Sequence, residues 1–481
     1  MTDKQAINLL NKPNDKDAIN SLNKPTDEKY NRNLSLMDLF FAGYGFIVGA
    51  GIFSLIPYII KQGRGISWLS FVIGGLVCLI TGLSYAKLNS LYPSNDAEYS
   101  WILNILNFDE NRDPDKVKPY VKYLANGVIW IVVIVGLFMG ATILVGQADF
   151  IKEYVNISKK ILTLILVIFP SIIVMIGNKY ATGINKTIMI LVTGAFTLLF
   201  GLAKAYGSRA NEITYTATSR DFSPLLKSSF ITIFAYNGFQ SIVQLSEEAK
   251  ERKFVPLSII GSSGLAIGVY ALITISVIAL IGVKAAGVSV SPLSAAYGVK
   301  FGSYGKDIVN MLALVALTNT MLILTLSRSR LLQKLAVRGI APSYLKNLTS
   351  LRKLFGIEKF ESNNENKDTS NESKPVSKTI PIYAVITLSV ISYILTFIGK
   401  GAVDHLAGIT TSFLFIVFLM VNILVLINHY KTKTPAELEQ EKLVDKEIPI
   451  LKGYPWYSII GVFTSILYLS VSGKYLRLMG S

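Results

Sequence analysis

Eleven apolar runs recur along this chain of 481 residues, at 36–60, 67–91, 124–148, 160–177, 184–203, 228–247, 257–282, 307–327, 380–398, 405–428 and 456–472. A helix needs about twenty apolar residues to cross the hydrocarbon of a bilayer, so the expected fold class is an all-α integral membrane protein. Lipid offers the backbone no partners, so every peptide group inside a span must be paired by its own helix or covered by protein. The formal charge of +16 does not point to nucleic acid. The lysines and arginines lie in the loops between the runs, as they do in membrane proteins with basic cytoplasmic loops. The expected partner is the lipid bilayer, with no nucleic acid. Cys78 is the sole cysteine and lies inside a run, while His405 and His429 lie near the ends of another. That leaves no intrachain disulfide and no cysteine metal site, and no cofactor is expected.

The first run carries Gly43, Gly45, Gly49 and Gly51. Glycine in a membrane helix serves close packing. The Gly49-Ala50-Gly51 pair also lets the backbone leave the helix at mid-membrane, which is tolerated only where protein or a wet cavity covers the freed groups. A break aims a helix N-terminus at that cavity, with free N–H groups and partial positive charge suited to a carboxylate. A second break is expected in Phe234-Ala235-Tyr236-Asn237-Gly238-Phe239-Gln240, where Asn and Gly favour non-helical backbone. Two interrupted spans in corresponding positions of two halves point to the substrate site of a transporter.

Residues 1–34 are polar, and Ile7–Pro13 returns in altered form as Ile19–Pro25. They lack the apolar content of a core and read as a disordered cytoplasmic tail, with a docking motif as the sharper alternative. Residues 35–430 read as a ten-helix core, and 431–481 as a cytoplasmic linker plus one further span. With the N-terminus inside, the cytoplasmic loops hold 25 basic residues and the outer loops thirteen. That bias predicts a cytoplasmic N-terminus, and eleven spans then place the C-terminus outside. In the cytoplasmic loop 328–379, the stretch Ser327–Gly339 sets Leu331, Leu332, Leu335 and Ala336 on one helical face, with Lys334 and Arg338 off it. It reads as an amphipathic helix along the inner membrane surface. Residues 359–378 read as disordered.

Three local patterns resemble the amino acid–polyamine–organocation permease family. Gly49-Ala50-Gly51-Ile52-Phe53 is similar to the motif of that family's first helix. Phe234 to Gln240, followed by Leu245-Ser-Glu-Glu-Ala-Lys250 and Pro256, resembles its sixth helix and the charged stretch beyond it. Ser327-Arg328 through Arg338-Gly339-Ile340-Ala341-Pro342 resembles the segment after its eighth helix. The resemblance covers roughly 34–430 and implies the leucine-transporter fold, two inverted five-helix repeats with helices one and six unwound around an amino acid. Carried over by position, it implies amides near Ala50 and Gly51 for a substrate carboxylate. Carbonyls of Ile47, Phe234 and Asn237 would take the α-amino group, and the Phe234 ring would wall the pocket. Gly49, Ala235, Gly238 and Gln240 complete the expected substrate-binding set. Ordinary packing is the competing reading of Phe234.

Several positions depart from the family pattern. Gln240 stands where many relatives carry an acid, and Asp96-Ala97-Glu98-Tyr99 replaces a Gly-Gly-x-Tyr. The stretch Leu191–Phe196 lacks the lysine that some relatives place there, and the family's usual twelve spans are not met. The central portions of the runs hold no Asp, Glu, Lys, Arg or His; Asp38, Lys87, Glu247 and Glu248 lie near their ends. Such a centre suits a zwitterion and leaves a polyamine badly paired. Glu247 and Glu248 read either as a solvated helix end or as an inner gate. Thr318 and Thr320 are weak candidates for a sodium site with carbonyls near Gly49, against the ordinary reading that they bond their own helix.

The expected function is therefore a secondary-active or facilitative transporter of small, neutral amino acids by alternating access, in a cell membrane, multi-pass. Exchange would add a counter-substrate as partner. Titration of an intramembrane carboxylate is not expected to be obligatory, because the amide of Gln240 does not titrate. The alternatives are a non-transporting amino acid sensor on the same fold, or a transporter of cationic amino acids or polyamines. A membrane enzyme lacks any of its motifs here, and a channel would show a repeated filter segment. Oligomeric state is not legible.

Overall fold

Ser35 opens the first helix with a reciprocal cap: Asp38 N–H donates to its hydroxyl at 3.3 Å, and its own N–H donates to the Asp38 carboxylate at 2.9 Å. The computed structural model describes residues 32–106, 117–176, 178–213, 223–347, 381–398, 403–433 and 435–477. The N-terminal repeat and the 359–378 segment lie outside them.

The helices are α1 Leu36–Gly63, α2 Ser67–Leu91, α3 Ala97–Leu106, α4 Pro119–Lys152, α5 Lys159–Ile176, α6 Asn178–Tyr206, α7 Ser223–Tyr236, α8 Phe239–Val243, α9 Phe254–Val288, α10 Pro292–Val337, α11 Ile382–Leu395, α12 Val403–Tyr430, α13 Pro435–Glu447 and α14 Trp456–Arg477. Each of the eleven apolar runs has its helix, the sixth being the interrupted pair α7–α8. Eight described segments are long and apolar enough to cross a membrane, the first holding both α1 and α2. The shorter α11 is apolar too.

At the centre α1 lies along α9, α10 and α7, and α2 lies along α9 and α7. Around this group α4 packs on α12, α10 and α11, and α14 closes against α12 and α2. Hydroxyls inside the spans bond their own helix, as Thr142 does to the Phe138 carbonyl at 2.8 Å and Thr410 to the Leu406 carbonyl at 2.7 Å. Polar contacts between helices are few and buried. Asn422 of α12 accepts from Ser84 at 2.6 Å and donates to Thr81 at 3.2 Å, fixing α12 against α2. Ser229 and Tyr468 meet at 2.7 Å, tying α14 to α7.

The linker before α14 is a docked helix. Glu441 and Asp445 of α13 reach Lys87, at the inner end of α2, at 3.4 and 2.8 Å. The Gln440 amide caps the Leu91 carbonyl at 2.7 Å.

Two expectations about shape need correction. The 327–339 stretch does not lie on the membrane surface. It continues α10 in line, and Ser327, Arg328, Ser329, Arg330, Leu331, Leu332, Gln333, Leu335 and Ala336 are all buried. Its polar face is covered by protein rather than by water, so the apolar stripe alone misplaces it. The helix of the eighth span also begins earlier than 307, just after Gly302, whose φ of 60° lies outside helical geometry and parts it from a separate helix that starts at Pro292.

Candidate functional site

Where α1 passes the α7–α8 interruption, two backbones touch. Gly51 packs against Ala235, and a methyl group placed on it would overlap the Ala235 Cβ and lie 2.5 Å from the Ala235 Cα. Gly238 packs against α1 in the same way, its added Cβ falling 2.9 Å from both the Gly43 carbonyl oxygen and the Ile47 nitrogen. Contacts this close are open to glycine alone.

The second break is present: α7 stops at Tyr236, Asn237 and Gly238 form a turn, and α8 restarts at Phe239. The first is not. Through Gly49-Ala50-Gly51 α1 runs as uninterrupted helix from Leu36 to Gly63. With Ala235 and Gly238 packed against α1, the peptide groups there keep their helical pairing. Glycine here serves approach rather than interruption.

Ile47, Phe234, Ala235, Asn237 and Gln240 are all buried. The Tyr270 hydroxyl of α9 sits between the two chains, donating to the Ile47 carbonyl, with the Ala235 carbonyl 3.5 Å away. Phe71 and Tyr236 rings pack edge-on against Tyr270, at 5.2 and 5.1 Å between centroids. The Asn237 amide nitrogen lies 3.8 Å from the Met139 sulfur, and its oxygen makes no hydrogen bond among the described residues. Tyr270 escaped the sequence reading because nothing in the apolar run 257–282 marks its single tyrosine as facing inward.

Thr318 and Thr320 are not brought together. Two residues apart on a helix, they face different neighbours: Thr320 lies 3.4 Å from the Gly45 carbonyl, and Thr318 accepts from Gln147 at 2.8 Å. Each also donates to its own helix, at Ala316 and Leu314.

To one side of the junction, the end of the bundle that carries Glu247 and Glu248 is closed by charge. Arg330, Lys334 and Arg338 stand four residues apart on α10, one above another. Arg330 pairs with Glu248 at 3.4 Å, Lys334 with Glu247 at 2.6 Å, and Arg338 with Asp96. Asn95 and Glu247 exchange two more bonds, at 3.2 and 3.0 Å, and the Arg338 guanidinium lies 5.0 Å from the centre of the Tyr99 ring. Leu34 adds backbone bonds to Glu248 and Lys250, at 3.0 and 2.9 Å. Glu247 and Glu248 thus do not end as a solvated helix terminus.

Between junction and ladder lies a buried polar chain. The Arg328 guanidinium donates to the Gln240 carbonyl oxygen at 3.1 Å. The Gln240 amide donates to the Tyr85 hydroxyl at 2.9 Å, and Tyr85 donates to the Glu98 carboxylate at 2.9 Å. Arg328 and Glu98 are 3% and 2% exposed. The spans hold no central charge of their own, but the neighbouring loop helix and the inner third of α10 bring one of each sign into the interior.

A helical bundle with one broken span beside a glycine-lined partner and a charged inner closure defines a class, the leucine-transporter-type membrane carriers. The structure is similar to that of MhsT in complex with L-phenylalanine, with a TM-score of 0.58, 14% identity, and coverage of 93% of this chain and 99% of that one. It is also similar to Mhp1, a nucleobase-cation-symport-1 family transporter in a closed conformation, with a TM-score of 0.51, 12% identity and coverage of 94% of each. The amino acid permease family model matches residues 34–473, so the chain belongs to that family, within the amino acid–polyamine–organocation superfamily. Among its relatives, the branched-chain amino acid permease BcaP of Lactococcus lactis is 24% identical over 67% of this chain and 72% of its own length. Cationic amino acid transporter 8 of Arabidopsis thaliana is 21% identical over 84% and 64%. An uncharacterized transporter of Mycobacterium bovis is 25% identical over 63% of this chain and 65% of its own length.

Proposed function

We propose that the protein carries small neutral amino acids across a cell membrane by alternating access, holding the zwitterion between Ile47–Gly51 and Phe234–Gln240. The observation that carries this reading is the Tyr270 hydroxyl, placed against the Ile47 and Ala235 carbonyls. A substrate ammonium is a donor of the same kind with more N–H groups, and would take those carbonyls together with those of Phe234 and Asn237. Opening α1 at Gly49–Gly51 would free amides for the carboxylate. Arg328 reaches the edge of the junction at Gln240, and the acid Glu98 stands beside it, so a cation meets no spare carboxylate there. That balance favours a substrate with no net charge and disfavours a cationic amino acid or polyamine. The name of BcaP agrees with this preference, and that of the Arabidopsis relative does not.

Counterflow of labelled leucine, lysine and putrescine in proteoliposomes tests the reading. Leucine should be trapped, with lysine and putrescine at background, and an imposed pH gradient alone should drive no accumulation. Binding of leucine without counterflow would make the protein a sensor. Trapping of lysine instead would overturn the neutral preference.

We place the N-terminus and the ladder in the cytoplasm and the C-terminus outside, on the basic-residue bias of the loops. Single cysteines at Ser373 and Ser481, in a Cys78→Ser background, should label from opposite faces. Labelling from one face would show that a helix, α14 first among them, does not cross.

A further inference from the structure

The carboxylate of Glu98 has no task in amino acid binding, yet it is the most deeply enclosed acid linked to the junction. It lies at the start of α3, outside the membrane spans, and one of its oxygens makes no hydrogen bond among the described residues. The titratable and charged groups facing it are Tyr85 from α2, Arg328 from α10 and Asp96 from its own turn, the last held by Arg338. The Tyr85 ring that holds it is itself packed by Trp101, Phe239 and Phe418.

We propose that Glu98 is a proton site reached from the cytoplasmic side alone, and that its charge sets how readily the inner ladder opens. The route follows from the chain of partners. Toward the junction Glu98 meets Tyr85 and then Gln240, whose amide neither gains nor loses a proton in this range. Toward the cytoplasm it is covered by the turn carrying Asp96 and by the ladder, and parting these rungs brings water to it. A proton then moves between cytoplasmic water and the Glu98 carboxyl oxygen, forming or breaking one O–H bond. It enters and leaves on the same side, so no proton is carried across per cycle.

The sign follows from burial. Enclosure pushes the Glu98 carboxyl above its ordinary value, with Arg328 and the Tyr85 hydrogen bond pulling the other way. The closed form therefore holds the proton more tightly than a hydrated, open form would. Acid on the inner side keeps the ladder shut, and raising inner pH through the closed-state value favours opening. This inference rests on alternating access but not on which substrate is carried.

The test is a single cysteine at Ser246, buried behind the ladder, in a Cys78→Ser background. It is labelled from the inner side by an impermeant maleimide. Labelling at each pH is divided by that of the same cysteine in E98Q, which cancels the titration of the thiol. The ratio should rise as the inner pH is raised from acid to alkaline, by no more than about tenfold per pH unit for a single group. Tyr85→Phe removes a donor to the carboxylate and should move the midpoint to higher pH. E247Q, which weakens a rung directly, should raise labelling at every pH while leaving the slope in place. A flat ratio, an unmoved midpoint in Tyr85→Phe, or loss of the slope in E247Q would each overturn the proposal. Labelling needs no substrate, so failure of the neutral-carrier reading would show in counterflow and not here.

Discussion

The junction and the ladder lie within one protein and close it by opposite means. At the junction, Gly51 against Ala235 and Gly238 against Ile47 hold two backbones together by shape, with one tyrosine hydroxyl between carbonyls. At the ladder, shape matters less, and three cation–carboxylate pairs carry the contact. Dispersion between close-packed atoms is insensitive to pH and salt, whereas ion pairs at the edge of water respond to both. The region that would recognise a substrate is thereby insulated from the medium, and the region proposed to release it is held by charges that can answer to it.

The largest effect should come from Gly51→Leu. Its side chain has no room beside Ala235, so the junction cannot close and substrate binding should be abolished while the protein still reaches the membrane. Equilibrium binding of labelled leucine to purified protein checks this. Unchanged affinity would remove the junction from the site. Arg330→Ala comes next. Arg330 and Glu248 are 4% and 7% exposed along their side chains, and a buried charge that loses its partner costs about 3–5 kcal/mol. The closed form should weaken by that order, seen as faster inner labelling at Ser246. The smallest effect belongs to Lys334 and Glu247, at 12% and 26% exposure. A double-mutant cycle should return a coupling of about 1 kcal/mol or less, shrinking in high salt. Coupling that ignored salt would mean the ladder closes by shape as the junction does, and the contrast would collapse.

The two regions were also unequally legible. Apolar length alone located the eleven helices, because the bilayer imposes one requirement on all of them. The Asn237-Gly238 turn was legible, since both residues resist helix. The Gly49–Gly51 pair was not, because glycine that permits a break and glycine that permits close approach look alike in sequence. The ladder was harder still. Arg330, Lys334 and Arg338 recur every four residues, as on any helix face, and only the fold shows Glu248, Glu247 and Asp96 opposite them. Glu98 stood in a loop between runs, where an acid ordinarily meets water. Nothing local distinguishes a charge bound for the interior when its partner lies 230 residues away at Arg328.

One property of α10 reaches further. Beyond the break at Gly302 it runs on to Val337, which at about 1.5 Å per residue is roughly 50 Å. The hydrocarbon of a bilayer is about 30 Å thick. A helix longer than the hydrocarbon is thick extends past the acyl chains unless it tilts, and Arg330 and Lys334 stand near its end. Thinning or thickening the membrane acts on the spans through hydrophobic mismatch, but finds no purchase on pairs held clear of the lipid. Acyl-chain length should tune how the bundle tilts, while the strength of the ion-pair closure answers to the ions around it.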